Sequence, residues 1–172
     1  LSVISQNAYI FNMSIMDNLK VIKKNATEKE IKEACHLACL DDFIETHTEN
    51  ASLVVLDGVE DVHNIGAIIR TCVCAGIDGI MIPSRRNSPI TSVVEKTSAG
   101  AVNHIPIIKV NSLSSSIQKL QKHNWWVIAT DADSKDTCYD ISYSDMNYIL
   151  IMGAEHAGVS KSLLKMSDYK VK

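Results

Sequence analysis

Three short segments carry residue types that can do chemistry, and each follows a stretch that reads as a strand. The first runs from Asp57 through Asn64 and Gly66 to Arg70. Gly66 and Arg70 are four apart and share a helical face away from the Ile65/Ile69/Val73 stripe, so Arg70 looks outward into the loop region. On spacing alone it reads equally well as a solvated surface arginine. The second segment is Thr130-Asp131-Ala132-Asp133, small and polar. The third is Gly153-Ala154-Glu155-His156-Ala157-Gly158, whose glycines permit positive φ and close approach of a ligand to backbone N–H groups. Its spacing is neither G-x-G-x-x-G nor G-x-x-x-x-G-K, so it carries neither the dinucleotide nor the phosphate-loop fingerprint. Cys35, His36 and Cys39 sit at helical spacing that a metal could use, but two buried thiols on an apolar stripe explain it better. No metal site is expected.

The elements that would position these segments alternate strand and helix from Leu53 onward. Leu53 to Leu56 is a buried-type strand closed by Asp57-Gly58, and a helix follows with Asn64 as its expected N-cap. Its apolar residues Ile65, Ile68, Ile69, Cys72 and Val73 keep helical spacing. Further strands are expected at 79–83, 105–110, 125–130 and 148–152, and another opens at Tyr169. Helices are expected at 90–96, 112–123 and 160–166. Pro106 suggests an edge strand or a strand-end position. Trp125 and Trp126 open a strand, so their rings point to opposite faces and suit packing better than base stacking. Near-continuous apolar strands alternating with helices imply an α/β fold, a parallel sheet with helices on both faces. Ligands bind such sheets beyond the carboxyl ends of the strands, where all three chemical segments fall.

Composition narrows the function classes. The chain has 172 residues, 46% hydrophobic and 22% charged, ordinary for a globular protein. Disordered, collagen-like and disulfide-scaffold classes are excluded. No run approaches the roughly 18 apolar residues of a membrane span. The formal charge is -3, so a nucleic-acid partner would have to be held by a local patch. Five irregularly spaced cysteines fit reduced thiols in a cytoplasm. The chain opens on Leu1 and stops at Lys172 as a strand begins, so both ends read as cut.

In this order and spacing the segments resemble the SpoU family of RNA ribose methyltransferases. Residues Asp57 to Thr71 resemble its first motif, Lys96 to Ala101 its middle motif, and Leu150 to Ser160 its second motif. The resemblance runs from about Ser52 to Lys172 and is nearest to enzymes that methylate a guanosine ribose in large-subunit rRNA. It implies S-adenosylmethionine as cofactor, a SPOUT fold with a trefoil knot near the C-terminus, and a homodimer. It assigns Arg70, Asn64 and Glu155 to catalysis. A guanidinium is always protonated, so Arg70 is better suited to stabilising a developing alkoxide or a nearby phosphate than to taking a proton. Thr130, Asp131, Gly153, Ala154 and Gly158 would line the cofactor pocket. Arg85, Arg86, Lys96, Ser98 and Lys161 would meet the RNA, rRNA before tRNA.

Three departures stand against the family pattern. Val62 replaces a usual proline, and His156 replaces a usual glycine, where a side chain would crowd the pocket or need an unfavourable φ. The third motif is expected just after Lys172, so on this reading the domain, residues 49–172, is truncated. Residues 1–48 resemble the Q-loop, with Gln6, and following helices of an ABC exporter ATPase. No phosphate loop accompanies them, so ATP hydrolysis is not expected. The rival readings are a tRNA ribose methyltransferase, a non-catalytic RNA-binding or dimerisation module, and an ABC transporter fragment.

Overall fold

The computed structural model describes residues 40–84 and 90–172, together with Asn25 and Thr27. The Q-loop-like segment, Cys35, His36, Cys39, Arg85 and Arg86 lie outside the described residues. Among the described residues the chain forms a helix α1 over residues 40–46, then strand β1 (Ser52–Asp57), α2 (Val62–Ala75), β2 (Gly79–Pro83) and α3 (Ser92–Thr97). After a short 3-10 turn come β3 (Ile107–Val110), α4 (Leu113–Gln121), β4 (Trp125–Thr130), β5 (Asn147–Gly153), α5 (Lys161–Met166) and β6 (Tyr169–Val171). The six strands make one sheet in the order β3-β2-β1-β5-β4-β6, with every pairing parallel. Ser52 faces Tyr148 and Asp57 faces Gly153, so β1 and β5 run side by side for their full shared length.

Alternating side chains of the central strands go to opposite faces, and both faces are covered. Leu53 and Val55 join Ile149, Ile151, Val127 and Ala129 in one apolar layer, beneath Phe43 of α1, Ile117 and Leu120 of α4 and Leu163 of α5. Val54 and Leu56 join Ile80 and Ile82 in the other, beneath Ile65, Ile69 and Cys72 of α2 and Val94 of α3. This two-sided burial is why β1 reads as an unbroken apolar run rather than an alternating one. The α/β architecture expected from the strand–helix rhythm is the one observed.

Residues 40–46 belong to this packing. Phe43 lies 5.8 Å from Trp125, ring to ring, and a Cβ on Gly79 would come within 2.8 Å of the Phe43 ring. The turn into β1 is fastened by Asn147, whose side chain accepts from the Ala51 N–H and donates to the Thr48 carbonyl.

Several element boundaries differ from expectation for local reasons. The N-cap of α2 is Asp61, which accepts from the His63 N–H at 2.8 Å, and Asn64 lies one turn inside the helix. Gly76, at φ 75, closes that helix in the left-handed conformation. Pro106 has no N–H for the ladder, so it lends only its carbonyl to Ile80 and β3 begins at Ile107, on the sheet edge. Ser112 caps α4 by accepting from the Ser115 N–H. The tryptophans divide as their alternation requires: Trp125 is 3% exposed and Trp126 45%, with Trp126 set 5.8 Å from Tyr169.

Two consequences are measurable. Ile117 is fully buried under the sheet, so Ile117→Ala should lower the unfolding free energy by about 2–5 kcal/mol in urea denaturation. Burial pushes the Cys72 thiol up to about 11, whereas Cys74 is exposed. Alkylation of the native protein near neutral pH should therefore label Cys74 and spare Cys72, as peptide mass mapping would reveal.

Candidate active site

The site is built where two neighbouring strands send their following helices to opposite faces. From β1 the chain passes into α2, in one apolar layer, and from β5 into α5, in the other. The crevice left between diverging connections, beyond the carboxyl ends of β1 and β5, is the usual ligand position in an open parallel sheet. Asp57 and Gly153 are the facing residues at that end.

The two loops are tied together there. The Asp57 carboxylate accepts from the Ser160 N–H at 2.7 Å. The segment after β5 turns back on itself, with Gly158 N–H donating to the Ala154 carbonyl at 2.8 Å and Ala154 N–H to the Gly158 carbonyl at 3.2 Å. A Cβ on Gly153 would lie 2.0 Å from the Gly158 carbonyl carbon and 2.2 Å from the Val159 nitrogen. Only glycine permits that approach. Gly58, at φ 76, makes the turn after β1, and a Cβ there would sit 3.7 Å from the Ala154 Cβ.

These loops line a cleft of about 730 Å³. Asn64, Ala154 and Glu155 are on its wall, together with His156 at the tip of the β5 turn. Asp57, Glu60, Asp61 and Glu155 make it acidic, and no lysine or arginine is among its described lining residues. Sequence reading singled out Glu155 alone of these carboxylates; the signal for the rest was the acidic loop between β1 and α2. The positive φ of the β5 turn falls on Gly158, at 64°, and His156 is not among the residues with left-handed backbone. The expected strain at His156 is therefore absent, because the turn places its special conformation two residues later.

The other expected site residues are distributed around this cleft. Arg70 is exposed on α2, six residues and so about 9 Å of helix rise beyond Asn64, and is not part of the lining. Thr130 ends β4, the strand next to β5, and Asp131 follows it; neither lines the cleft. The Thr130 hydroxyl donates to the Ile151 carbonyl, and the Asp131 carboxylate accepts from the Asp133 N–H. Gly153 and Gly158 shape the turn rather than line the space. Lys96 and Lys161 are exposed, at the end of α3 and the start of α5.

Ser98 needs a correction as an RNA contact. It is fully buried, and its hydroxyl donates to the Glu95 carbonyl and accepts from the Val102 N–H. It holds the turn after α3 shut and presents no surface to a ligand. The neighbouring Thr97 explains Gly66: a Cβ there would meet the Thr97 hydroxyl at 1.9 Å and its Cβ at 2.7 Å. The first and middle segments thus meet through a close helix–helix contact. No cluster of metal-ligating side chains occurs among the described residues, and none of the helices among them is long and apolar enough to cross a membrane.

A model of the SpoU rRNA methylase family matches residues 51–172, which contain both loops of the cleft. The chain belongs to the SpoU rRNA methylase family. A Staphylococcus haemolyticus relative, named for the TrmH family of tRNA/rRNA methyltransferases, is 36% identical over 138 residues, covering 78% of this chain and 55% of the relative. Among solved structures, an rRNA methyltransferase from Sinorhizobium meliloti superposes with a TM-score of 0.67 at 29% identity, covering 73% of this chain and 48% of that one. The SpoU methyltransferase AviRb from Streptomyces viridochromogenes has a TM-score of 0.66 at 22% identity, over 72% of this chain and 49% of that one, a likeness of fold. The chain spans about half the length of these relatives.

Both tight glycines can be tested. Gly66→Ala should cost about 1–3 kcal/mol of stability through overpacking against Thr97, read by urea denaturation. Gly153→Ala should deform the turn locally, so that amide exchange speeds up at Ala154 and Gly158 more than in the central strands.

Proposed function

We propose that this chain is part of an S-adenosylmethionine-dependent methyltransferase acting on a ribose 2′-hydroxyl of RNA, a guanosine in large-subunit rRNA before any tRNA. The observation that carries the reading is the convergence of Asn64 and Glu155 on one cleft between the β1 and β5 ends. Supporting it, the Sinorhizobium meliloti rRNA methyltransferase was also solved with bound AdoMet, at 28% identity to this chain. The donor set fits such a cofactor: four carboxylates, with no lysine or arginine among the described lining residues, suit a ligand bearing a sulfonium and an ammonium. Ala154 and Glu155 would hold it on the cleft side, with Thr130 and Asp131 at the neighbouring strand end.

When bound, S-adenosylmethionine supplies a methyl group on sulfur that needs no further activation. The protein's work is then to align the attacking hydroxyl and to stabilise the charge that develops on it. Asn64 and Glu155 orient the nucleotide from the two loops. Arg70, exposed on α2 outside the cleft lining, is the fixed positive charge that the family resemblance assigns to the developing oxyanion or the adjoining phosphate. The acidic cleft repels phosphates, so the RNA backbone lies outside it, along Lys96 and Lys161. A cytoplasmic homodimer completes the proposal.

Arg70→Ala should lower methyl transfer to an unmodified large-subunit rRNA transcript by about 10²–10³-fold, the usual loss on removing one donor to a developing charge. Calorimetric binding of S-adenosylmethionine should be unchanged. An unaltered rate in the variant would remove Arg70 from this role.

A further inference from the structure

The two residues that converge on the cleft arrive on separate connections, Asn64 after β1 and Glu155 after β5. Their spacing therefore depends on what holds one connection against the other. The strand register fixes only the starting point, the facing pair Asp57 and Gly153. Past that pair the β5 loop closes on itself through the Ala154–Gly158 bonds, which fix its shape. Val159 and Leu163, buried in the apolar layer, hold its far end to the sheet. These contacts do not reach the loop after β1.

The Asp57 carboxylate does join the two. Its Oδ2 accepts from the Ser160 N–H at 2.7 Å, across a sequence separation of 103 residues. Ser160 is the N-cap of α5: its carbonyl accepts from the Leu163 and Leu164 N–H groups, and its hydroxyl makes no cap bond. The Ser160 N–H lies outside the helical ladder, so it requires an external acceptor. An ionised carboxylate makes a shorter and stronger bond there than a neutral oxygen. From Asp57 the chain runs through Gly58 to Asp61, the cap of α2, and on to Asn64. One side chain thus stands at the root of the first loop and grips the end of the second.

We propose that Asp57 is a positioning residue, whose bond to the Ser160 N–H sets the spacing between the Glu155 turn and Asn64. The role rests on the methyltransferase reading above. Asp57 acts through the loop, by supplying an acceptor oxygen at a fixed place beyond β1, and its charge is not the cofactor's direct partner.

The test measures S-adenosylmethionine binding by calorimetry in the native chain and in variants at both ends of the bond. Asp57→Ala removes the acceptor. Ser160→Pro removes the N–H, and the Ser160 φ of -59 suits a proline ring. Each should weaken binding by about tenfold, the worth of one hydrogen bond to a charged group. The double variant should bind no more weakly than either single one, because both remove the same interaction. Asp57→Asn keeps an acceptor oxygen and should recover most of the affinity that Asp57→Ala loses. Ser160→Ala keeps the N–H and should retain what Ser160→Pro loses. Affinity for an unmodified large-subunit rRNA transcript should not follow this pattern. Independently of any ligand, exchange of the Ser160 amide should speed up at least about tenfold in Asp57→Ala, and β1 and β5 amides should keep their native rates. Asp57→Asn binding as weakly as Asp57→Ala would mean that the charge meets the ligand directly, and would overturn the proposal. So would additive losses in the double variant, native affinity in Ser160→Pro, or an unchanged Ser160 amide in Asp57→Ala. Each of these leaves the methyltransferase reading intact. A native chain that neither binds S-adenosylmethionine nor transfers methyl would overturn both.

Discussion

Gly153 has no room for a side chain, and the geometry of the site follows from that. At the end of β5 the backbone must pass within van der Waals contact of the Gly158–Val159 peptide, which folds the next five residues into a closed turn. The turn carries Glu155 and His156 over the end of β1. The Asp57 carboxylate then fastens the far side by accepting from the Ser160 N–H. β1 is buried on both faces and is hydrogen-bonded along its whole length to β5, so the two loops spring from adjacent, paired strands of the core. A catalytic group on such a turn is located by the sheet rather than by its own loop's stiffness.

A second constraint is electrostatic. The cleft is lined by carboxylates, while the described lysines of the expected RNA surface, Lys96 and Lys161, lie outside it on α3 and α5. On the proposed function a polyanion would be kept to the rim, and the interior would suit a cationic group and a single neutral sugar hydroxyl. The overall charge of -3 is compatible with an RNA substrate on these terms, since the positive side chains need only be local.

Much of this was legible in the sequence, and the parts that were not have physical reasons. Strand and helix identities follow from burial on two faces, which leaves continuous apolar runs such as Leu53 to Leu56 and helical stripes such as Ile65, Ile69 and Cys72. Boundaries shifted where a single polar group decided them. Asp61 rather than Asn64 caps α2 because its carboxylate, not the amide, stands where the His63 N–H points. Ser98 has the composition of a surface contact, and nothing local marks it as fully buried. Its burial comes from the turn after α3, whose Glu95 carbonyl and Val102 N–H it satisfies. His156 looked strained beside two glycines, but the turn takes its left-handed step at Gly158.

The sequence alone determined the layered α/β plan, the three segments that gather at the carboxyl edge of the sheet, and the family to which they point. These are properties of local periodicity, of glycine positions and of ordered residue types, which survive without coordinates. The tertiary structure decided which of those residues share a space. Strand order put β5 beside β1, separated in sequence by some ninety residues, and so brought Glu155 and His156 to Asn64 and Asp57. It also left Thr130 and Asp131 on the neighbouring strand end and Arg70 on the outer face of α2. Strand order is set by how the two apolar layers are best covered, a global packing condition that no single segment encodes.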